Sequence, residues 1–115
     1  VYPHINCSTK QIYSKVKKFN LPLKYDLSKV ESKNKYLSFV KNEINDLQNI
    51  VENKHPKIKK TLDLLKLQKK CLFSRMTGSG SVCFGVYSDK KSANTSCRII
   101  KKKFPNYWCI IAKSI

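Results

Sequence analysis

The chain has little of what several functional classes require. Its 115 residues include 3 glycines and 2 histidines, and 7 acidic residues stand against 24 basic ones. No apolar run approaches the roughly 20 residues of a membrane-spanning helix, so we expect no membrane segment. The histidines, His4 and His55, lie far apart, and neither belongs to a four-ligand pattern of the zinc-finger type. The sequence therefore predicts neither a membrane protein nor a metal site.

Cysteine is present without a pairing pattern. The 5 cysteines are an odd number, and no two form a C-x-x-C motif. This favours reduced thiols in a cytoplasmic protein over a disulfide framework. Three cysteines lie among apolar neighbours, where the side chain usually packs as a small hydrophobe. They are Cys83, Cys97 and Cys109.

The net charge of +17 has two interpretations. Basic residues displace counterions from phosphate, so the chain could bind nucleic acid. However, Arg75 and Arg98 are the only arginines, and the lysines are scattered from Lys10 to Lys113. Nucleic-acid readers usually combine arginine forks with aromatic residues on a basic face. We therefore favour a solvated lysine-rich surface and do not expect a nucleic-acid partner.

The length suits one domain with a modest core. Ser8 or Thr9 is the predicted N-cap of a short helix that places Ile12, Val16 and Phe19 on one side. Apolar residues at three- and four-residue spacing then predict further helices, and a polar stretch predicts a loop. The predicted loop is Leu23–Lys35, and the predicted helices are Tyr36–Glu52, Pro56–Lys70 and Ser92–Lys103.

Alternating apolar residues predict strands over 72–77 and around Val82–Val86, and the apolar run Tyr107–Lys113 predicts a covered strand. The first few residues resemble the end of another strand. The order is strand, three helices, two strands, helix and strand. This order predicts an α+β fold with helices over a mainly antiparallel sheet.

The most informative stretch is SRMTGSGSVCFGVY, at positions 74–87. Its glycines leave backbone N–H groups unblocked, so it could cradle phosphate oxygens. It could equally be a β-hairpin turn, and spacing alone leaves both interpretations open. It is neither a Walker loop nor a dinucleotide fingerprint. The candidate phosphate-proximal residues are Thr77, Gly78, Ser79, Gly80 and Ser81.

This stretch resembles the third glycine-rich motif of the GHMP kinase superfamily, with Thr77 in the usual serine position. Asn45-Asp46-Leu47 resembles the Asn-Asp-Leu of the family's preceding helix, and FPNYWCIIAKSI resembles its last helix end and strand. CSTKQIYSKV is similar to the Ser-Thr-x-x-x-Tyr segment of one branch, the 4-diphosphocytidyl-2-C-methyl-D-erythritol kinases of non-mevalonate isoprenoid synthesis. The resemblance spans nearly the whole chain.

The resemblance implies a ferredoxin-like C-terminal domain over residues 1–115, with helices packed on a mainly antiparallel four-stranded sheet. Such a domain helps to bind a cytidyl diphosphate substrate, whose erythritol hydroxyl receives the γ-phosphate of ATP. ATP and Mg²⁺ would be bound mainly by an N-terminal domain, because the family's central ATP loop appears nowhere in this sequence. That domain is the expected partner, and no catalytic residue is expected in these 115 residues, which begin at Val1 rather than Met.

The resemblance also implies site residues. An aromatic residue at the position of Tyr13 stacks on cytosine in this branch, whereas periodicity alone leaves Tyr13 equally open as a core aromatic. Thr9 and Lys10 would reach the diphosphocytidyl group, and the glycine-rich loop would lie near the phosphates. Arg75 is expected to pair with a surface carboxylate.

Two alternative functions stay open. A related GHMP kinase could phosphorylate a mevalonate-type, homoserine or sugar acceptor, although the Ser-Thr-x-x-x-Tyr segment favours cytidine. A basic ferredoxin-like module could instead bind RNA, stacking bases on Phe84 and Trp108. Both side chains lie in apolar runs and are expected to be buried.

Overall fold

The computed structural model describes residues 1–17 and 32–113. Its helices and strands confirm the predicted α+β class. Within these ranges no helix is long and apolar enough to cross a membrane. The elements are α1 (Thr9–Ser14), α2 (Lys33–Asn42), α3 (Gln48–Lys54), α4 (Pro56–Leu67), β1 (Cys71–Met76), β2 (Cys83–Tyr87) and α5 (Lys90–Lys103).

The sheet is a two-stranded antiparallel hairpin of β1 and β2, in which Met76 pairs with Cys83. The predicted strand Tyr107–Lys113 is wrong for the described residues, because that segment contributes only a bridge between Trp108 and Tyr2. Two features end this pairing early. Pro3 has no N–H to donate, and His4 has a positive φ of 55° that turns the chain away.

Backbone hydrogen bonds nevertheless join the first two residues to β2 and to the segment around Trp108. The amide of Cys83 donates to the carbonyl of Val1 at 2.8 Å, and the Val1 amine donates to the carbonyl of Cys83 at 2.7 Å. Tyr2 and Trp108 exchange hydrogen bonds of 2.7 and 3.0 Å. The chain start therefore lies between β2 and the C-terminal segment.

The predicted single helix Tyr36–Glu52 is wrong, because α2 and α3 are separated by the turn of residues 43–47. A contact with a distant part of the chain stabilises this break between α2 and α3. The Arg75 guanidinium donates to the carbonyls of Val40 and Lys41 at 2.9 and 3.1 Å, which satisfies the end of α2. Arg75 therefore binds backbone carbonyls rather than the predicted surface carboxylate, and it also lies 4.9 Å from the centre of the Phe73 ring.

Two of the other helices follow the sequence closely, whereas α1 ends at Ser14, so the prediction that Val16 lies on this helix is wrong. Helix α1 begins after Ser8, whose hydroxyl accepts the amide of Gln11. Helices α4 and α5 match the predicted helices within a few residues. Helix α2 starts at Lys33, inside the end of the predicted loop, while Phe19 and most of that loop lie outside the described residues.

The core lies where α4 covers the β1–β2 hairpin, with contributions from α1, α3 and α5. Its buried members are Ile12, Leu47, Val51, Ile58, Leu62, Leu65, Met76, Cys83, Ile100 and Cys109.

All five thiols are free, and the sulfurs of Cys97 and Cys109 are 3.3 Å apart. Burial raises the pKa of Cys83 to about 12, which suits an inert packing role. Trp108 was expected to be buried but is 51% exposed, whereas the next residue, Cys109, is buried.

A partly buried pair of hydroxyl groups, those of Tyr87 and Ser96, joins α4, β2 and α5. The Tyr87 hydroxyl lies 3.0 Å from the carbonyl of Leu65 and 2.6 Å from the hydroxyl of Ser96, and burial raises the pKa of Tyr87 to about 12. We expect Tyr87→Phe to lower the free energy of unfolding by about 1 kcal/mol, because Ser96 loses its partner in the interior. Urea unfolding measures this. Tyr107→Phe is the control, and equal losses in both variants would contradict the assignment.

The start of α5 carries a charged cap. Asp89 accepts the amide of Ser92 and the ammonium of Lys70, each at 2.7 Å. The Lys70 hydrogen bond is the largest cause that lowers the pKa of Asp89 from 3.8 to about 2. Because the pKa of Asp89 is lowered in the folded chain, its ionised carboxylate stabilises the fold above about pH 4. This contribution disappears as the pH falls toward about 2.

We therefore expect the stability of Asp89→Asn to fall less steeply than that of the wild type as the pH decreases from about 4 to about 2. Asparagine keeps an N-cap acceptor but has no proton to gain, so less stability remains to be lost between about pH 4 and pH 2. Thermal melts across that interval measure the difference. Asp63→Asn, which removes the carboxylate of an exposed pair with Lys59, is the control. If the stability of Asp89→Asn falls as steeply as that of the wild type, the assignment is refuted.

Candidate functional site

An open cleft lies between α1, the turn of residues 43–47 and residues 77–81, which we call the glycine loop. Its volume is about 420 Å³. The lining residues are Tyr13, Ile44, Asn45, Asp46, Leu47, Met76 and Gly78. The cleft thus brings together two segments that the sequence separates by more than sixty residues, α1 and the glycine loop.

Helix α1 presents two of the predicted site residues to this region. Ile12 is fully buried and anchors the helix in the core, whereas Tyr13 is 51% exposed and lines the cleft. Tyr13 is therefore not a core aromatic. Thr9 lies one turn earlier, and its hydroxyl is 3.1 Å from the hydroxyl of Ser79 in the glycine loop. Lys10 is exposed on α1 and is not among the residues that line the cleft.

The glycine loop closes the β1–β2 hairpin. The amide of Thr77 donates to the carbonyl of Val82 at 2.8 Å, and the amide of Gly80 donates to the carbonyl of Thr77 at 3.0 Å. Gly78 and Gly80 have φ angles of +49° and +96°, which favour glycine. The loop is thus a hairpin turn, and this does not prevent it from also facing a ligand.

The loop hydroxyls point in different directions. Ser81 is 3% exposed and donates to the carbonyl of Ile5 at 2.6 Å, so its hydroxyl serves the fold. Thr77 Oγ1 lies 3.4 Å from the carbonyl of Val82, while Ser79 Oγ faces Thr9. Among the predicted loop hydroxyls, that of Ser79 is the one that meets α1.

The sequence relationships agree with this geometry. A family model described as GHMP kinases C terminal matches residues 32–106, which include α2 through α5 and the glycine loop. The chain belongs to the GHMP kinase family.

Several curated relatives of this GHMP kinase chain are called 4-diphosphocytidyl-2-C-methyl-D-erythritol kinase. The protein of Pelagibacter ubique is 38% identical over 113 residues, which cover 98% of this chain and 39% of the relative. The protein of Wolbachia pipientis wMel is 36% identical over 102 residues, which cover 88% of this chain and 34% of the relative. The GHMP kinase chain thus spans about two fifths or less of the length of these relatives. No solved structure shows significant similarity to it.

Sequence reasoning missed how this GHMP kinase loop is held. Asn45 donates from Nδ2 to the carbonyls of Met76 and Gly78, and the Gln48 side-chain oxygen accepts the Met76 amide at 3.0 Å. The Asn-Asp-Leu resemblance did point to Asn45, but as a helical residue. No sequence signal pointed to Gln48, because its role depends on the position of β1.

The acidic side chains of this GHMP kinase chain are few and dispersed in the part that the structure describes. Within residues 1–17 and 32–113, no three His, Cys, Asp or Glu side chains cluster closely enough to hold a metal ion. Among the described residues that line the cleft, Asp46 is the one acidic residue.

Proposed function

We propose that residues 1–115 form the C-terminal, substrate-binding domain of an ATP-dependent 4-diphosphocytidyl-2-C-methyl-D-erythritol kinase. This enzyme transfers the γ-phosphate of ATP to a hydroxyl of the erythritol moiety. The observation that carries the proposal is that Tyr13 and the glycine loop share one cleft. The relatives that bear this name, from several bacteria, support it.

In this proposal the cleft divides the substrate between two surfaces. The half-exposed ring of Tyr13 stacks on cytosine, since a tyrosine offers a flat π face to a base. The diphosphate lies toward Thr9 and Ser79, where hydroxyl groups from α1 and the loop are 3.1 Å apart. Lys10, exposed on the same helix, adds positive charge near the phosphates.

The rest of the enzyme supplies ATP and Mg²⁺ binding in this proposal, through an N-terminal kinase domain outside these residues. The 115-residue chain alone is then inactive in phosphoryl transfer, which needs the transferred group to be positioned and its charge neutralised. We also propose that the pairings of Val1 and Tyr2 belong to a four-stranded ferredoxin-like sheet, and that the enzyme acts in the cytoplasm.

A titration of the 115-residue chain tests the binding function. The probes are CDP, ATP and a short single-stranded RNA, each followed by NMR at roughly 50 and 200 mM salt. We expect CDP to shift the Tyr13 ring resonances and ATP to leave them unchanged. Binding of CDP should weaken only modestly with salt, because few phosphates are involved.

Three results would contradict the proposal. If CDP shifts nothing at the cleft, Tyr13 is not a cytidine platform. If RNA binds instead and its affinity falls steeply with salt, the basic-module alternative replaces the kinase domain. Phosphorylation of the substrate by the isolated chain would contradict the assignment of ATP binding to another domain.

A further inference from the structure

The side-chain amide of Asn45 is fully occupied by the backbone. Its Nδ2 donates to the carbonyl of Met76 at 2.9 Å and to that of Gly78 at 2.8 Å. Its Oδ1 accepts the amide of Leu47 at 3.0 Å. One side chain thus ties the turn of residues 43–47 to the end of β1 and to the glycine loop.

These bonds fix the orientation of two peptide planes. In a trans peptide the carbonyl and the following N–H point to opposite sides. The carbonyl of Met76 faces Asn45, and the N–H of the same peptide, that of Thr77, donates to Val82 on the opposite side at 2.8 Å. The first plane therefore shows the expected geometry directly.

The second peptide plane, between Gly78 and Ser79, has the same geometry, but its N–H finds no protein acceptor among the described residues. The carbonyl of Gly78 faces Asn45, so the N–H of Ser79 points away from Asn45. In the part of the chain that the structure describes, no hydrogen bond uses this N–H. The neighbouring residue is also uncrowded, since a Cβ built on Gly78 would meet no atom within 4 Å. The Ser79 N–H is thus a donor held in place without a protein acceptor.

We propose that Asn45 is a positioning residue that aims the Ser79 N–H at an anionic phosphate oxygen of a nucleoside diphosphate. The identity of this ligand rests on the proposed function, whereas the orientation of the amide rests on the hydrogen bonds above. Because the donor is oriented before the ligand arrives, no loop rearrangement is needed to form the bond. Asn45 acts through Ser79, because the loop carbonyls already use both hydrogens of its Nδ2.

The chemistry of the side chain makes a sharp variant available. Asn45→Asp keeps the shape but replaces the two-proton donor with a carboxylate that faces two carbonyl oxygens. The Gly78 carbonyl then has no reason to face residue 45, and the Ser79 N–H loses its fixed direction. Asn49→Asp is the matched control, because it makes the same charge change on an exposed position of α3.

The experiment is NMR on the 115-residue chain, titrated with inorganic diphosphate and with CDP. In the wild type we expect a through-hydrogen-bond coupling between Asn45 Nδ2 and the Gly78 carbonyl, and a ligand-induced shift of the Ser79 amide. In Asn45→Asp we expect that shift to be lost and the affinity for CDP to fall roughly tenfold, as for loss of a hydrogen bond to a charged group. Asn49→Asp should behave as the wild type, and Asn45→Ser serves if the aspartate variant does not fold.

Each outcome decides one question. The absence of the coupling, or a Ser79 amide that ignores both ligands in the wild type, overturns the inference. An equal Ser79 response in Asn45→Asp overturns it as well. If the Ser79 amide responds to diphosphate while CDP leaves the Tyr13 ring unchanged, the inference stands and the proposed cytidyl substrate fails. A response to both ligands that depends on Asn45 supports both proposals.

Discussion

Gly80→Ala should destabilise the domain by about 3 kcal/mol, because two costs add at one position. The φ of +96° is unfavourable for any residue with a Cβ, which costs about 1–2 kcal/mol. The new methyl would also lie 3.0 Å from Cys7 Sγ, 3.2 Å from Met76 Sδ and 3.3 Å from Val51 Cγ1. Crowding of this kind in a packed site costs about 1–3 kcal/mol. Thermal and urea unfolding measure the loss, which corresponds to a fall of roughly 10 °C in midpoint.

Gly78→Ala is the matched control two residues away. Its φ of +49° lies in the left-handed region that a non-glycine residue can adopt at a cost of about 1 kcal/mol, and no atom lies within 4 Å of the new methyl. The steric part can also be tested by itself. Cys7→Ala in the Gly80→Ala background should recover part of the loss, since it removes the nearest sulfur. Equal losses at the two glycines would show that crowding contributes nothing.

The contrast between the two glycines also shows how far the sequence alone reaches. The alternating pattern on either side of the loop predicted two strands, and the bounds of β1 and β2 agree with it within one residue. Which glycine is sterically required could not be predicted, because Cys7 and Val51 come from distant parts of the chain. Local periodicity contains no information about such neighbours.

The turn of residues 43–47 illustrates the same limit. Leu37, Val40, Ile44 and Leu47 have helical spacing, which predicted one continuous helix. In the structure Ile44 is 69% exposed, so the pattern misleads at this residue. Arg75 and the backbone carbonyls held by Asn45 stabilise a break there instead. Hydrogen bonds to β1 thus override a local helical preference that is worth little by itself.

The candidate site was partly predictable for a different reason. The positions of Thr9, Tyr13 and the glycine loop came from a family resemblance, and the fold brings α1 and the loop to one cleft. The inward orientation of Ser81 was not predictable, because it depends on the carbonyl of Ile5. A motif identifies a segment, whereas the direction of each hydroxyl within it is set by tertiary contacts.

Tyr13→Ala should weaken CDP binding roughly tenfold to a hundredfold, because a base stacked on an aromatic side chain contributes about 1–3 kcal/mol. The fold should lose little, since the side chain is 51% exposed and Ile12, not Tyr13, anchors α1 in the core. NMR or calorimetric titration with CDP measures the change in affinity. The same titration with inorganic diphosphate should be nearly unaffected, because it presents no base to the ring.

Two variants separate stacking from other causes of weaker binding. Tyr13→Phe keeps the flat π face and should retain most of the affinity, so the hydroxyl is not required. Tyr36→Ala removes a tyrosine of similar exposure, 43%, from α2, where it does not line the cleft, and should leave CDP binding unchanged. If Tyr13→Ala and Tyr36→Ala have equal effects, the cleft is not the cytidine site. If Tyr13→Phe is as weak as Tyr13→Ala, the contact is a hydrogen bond and not a stack.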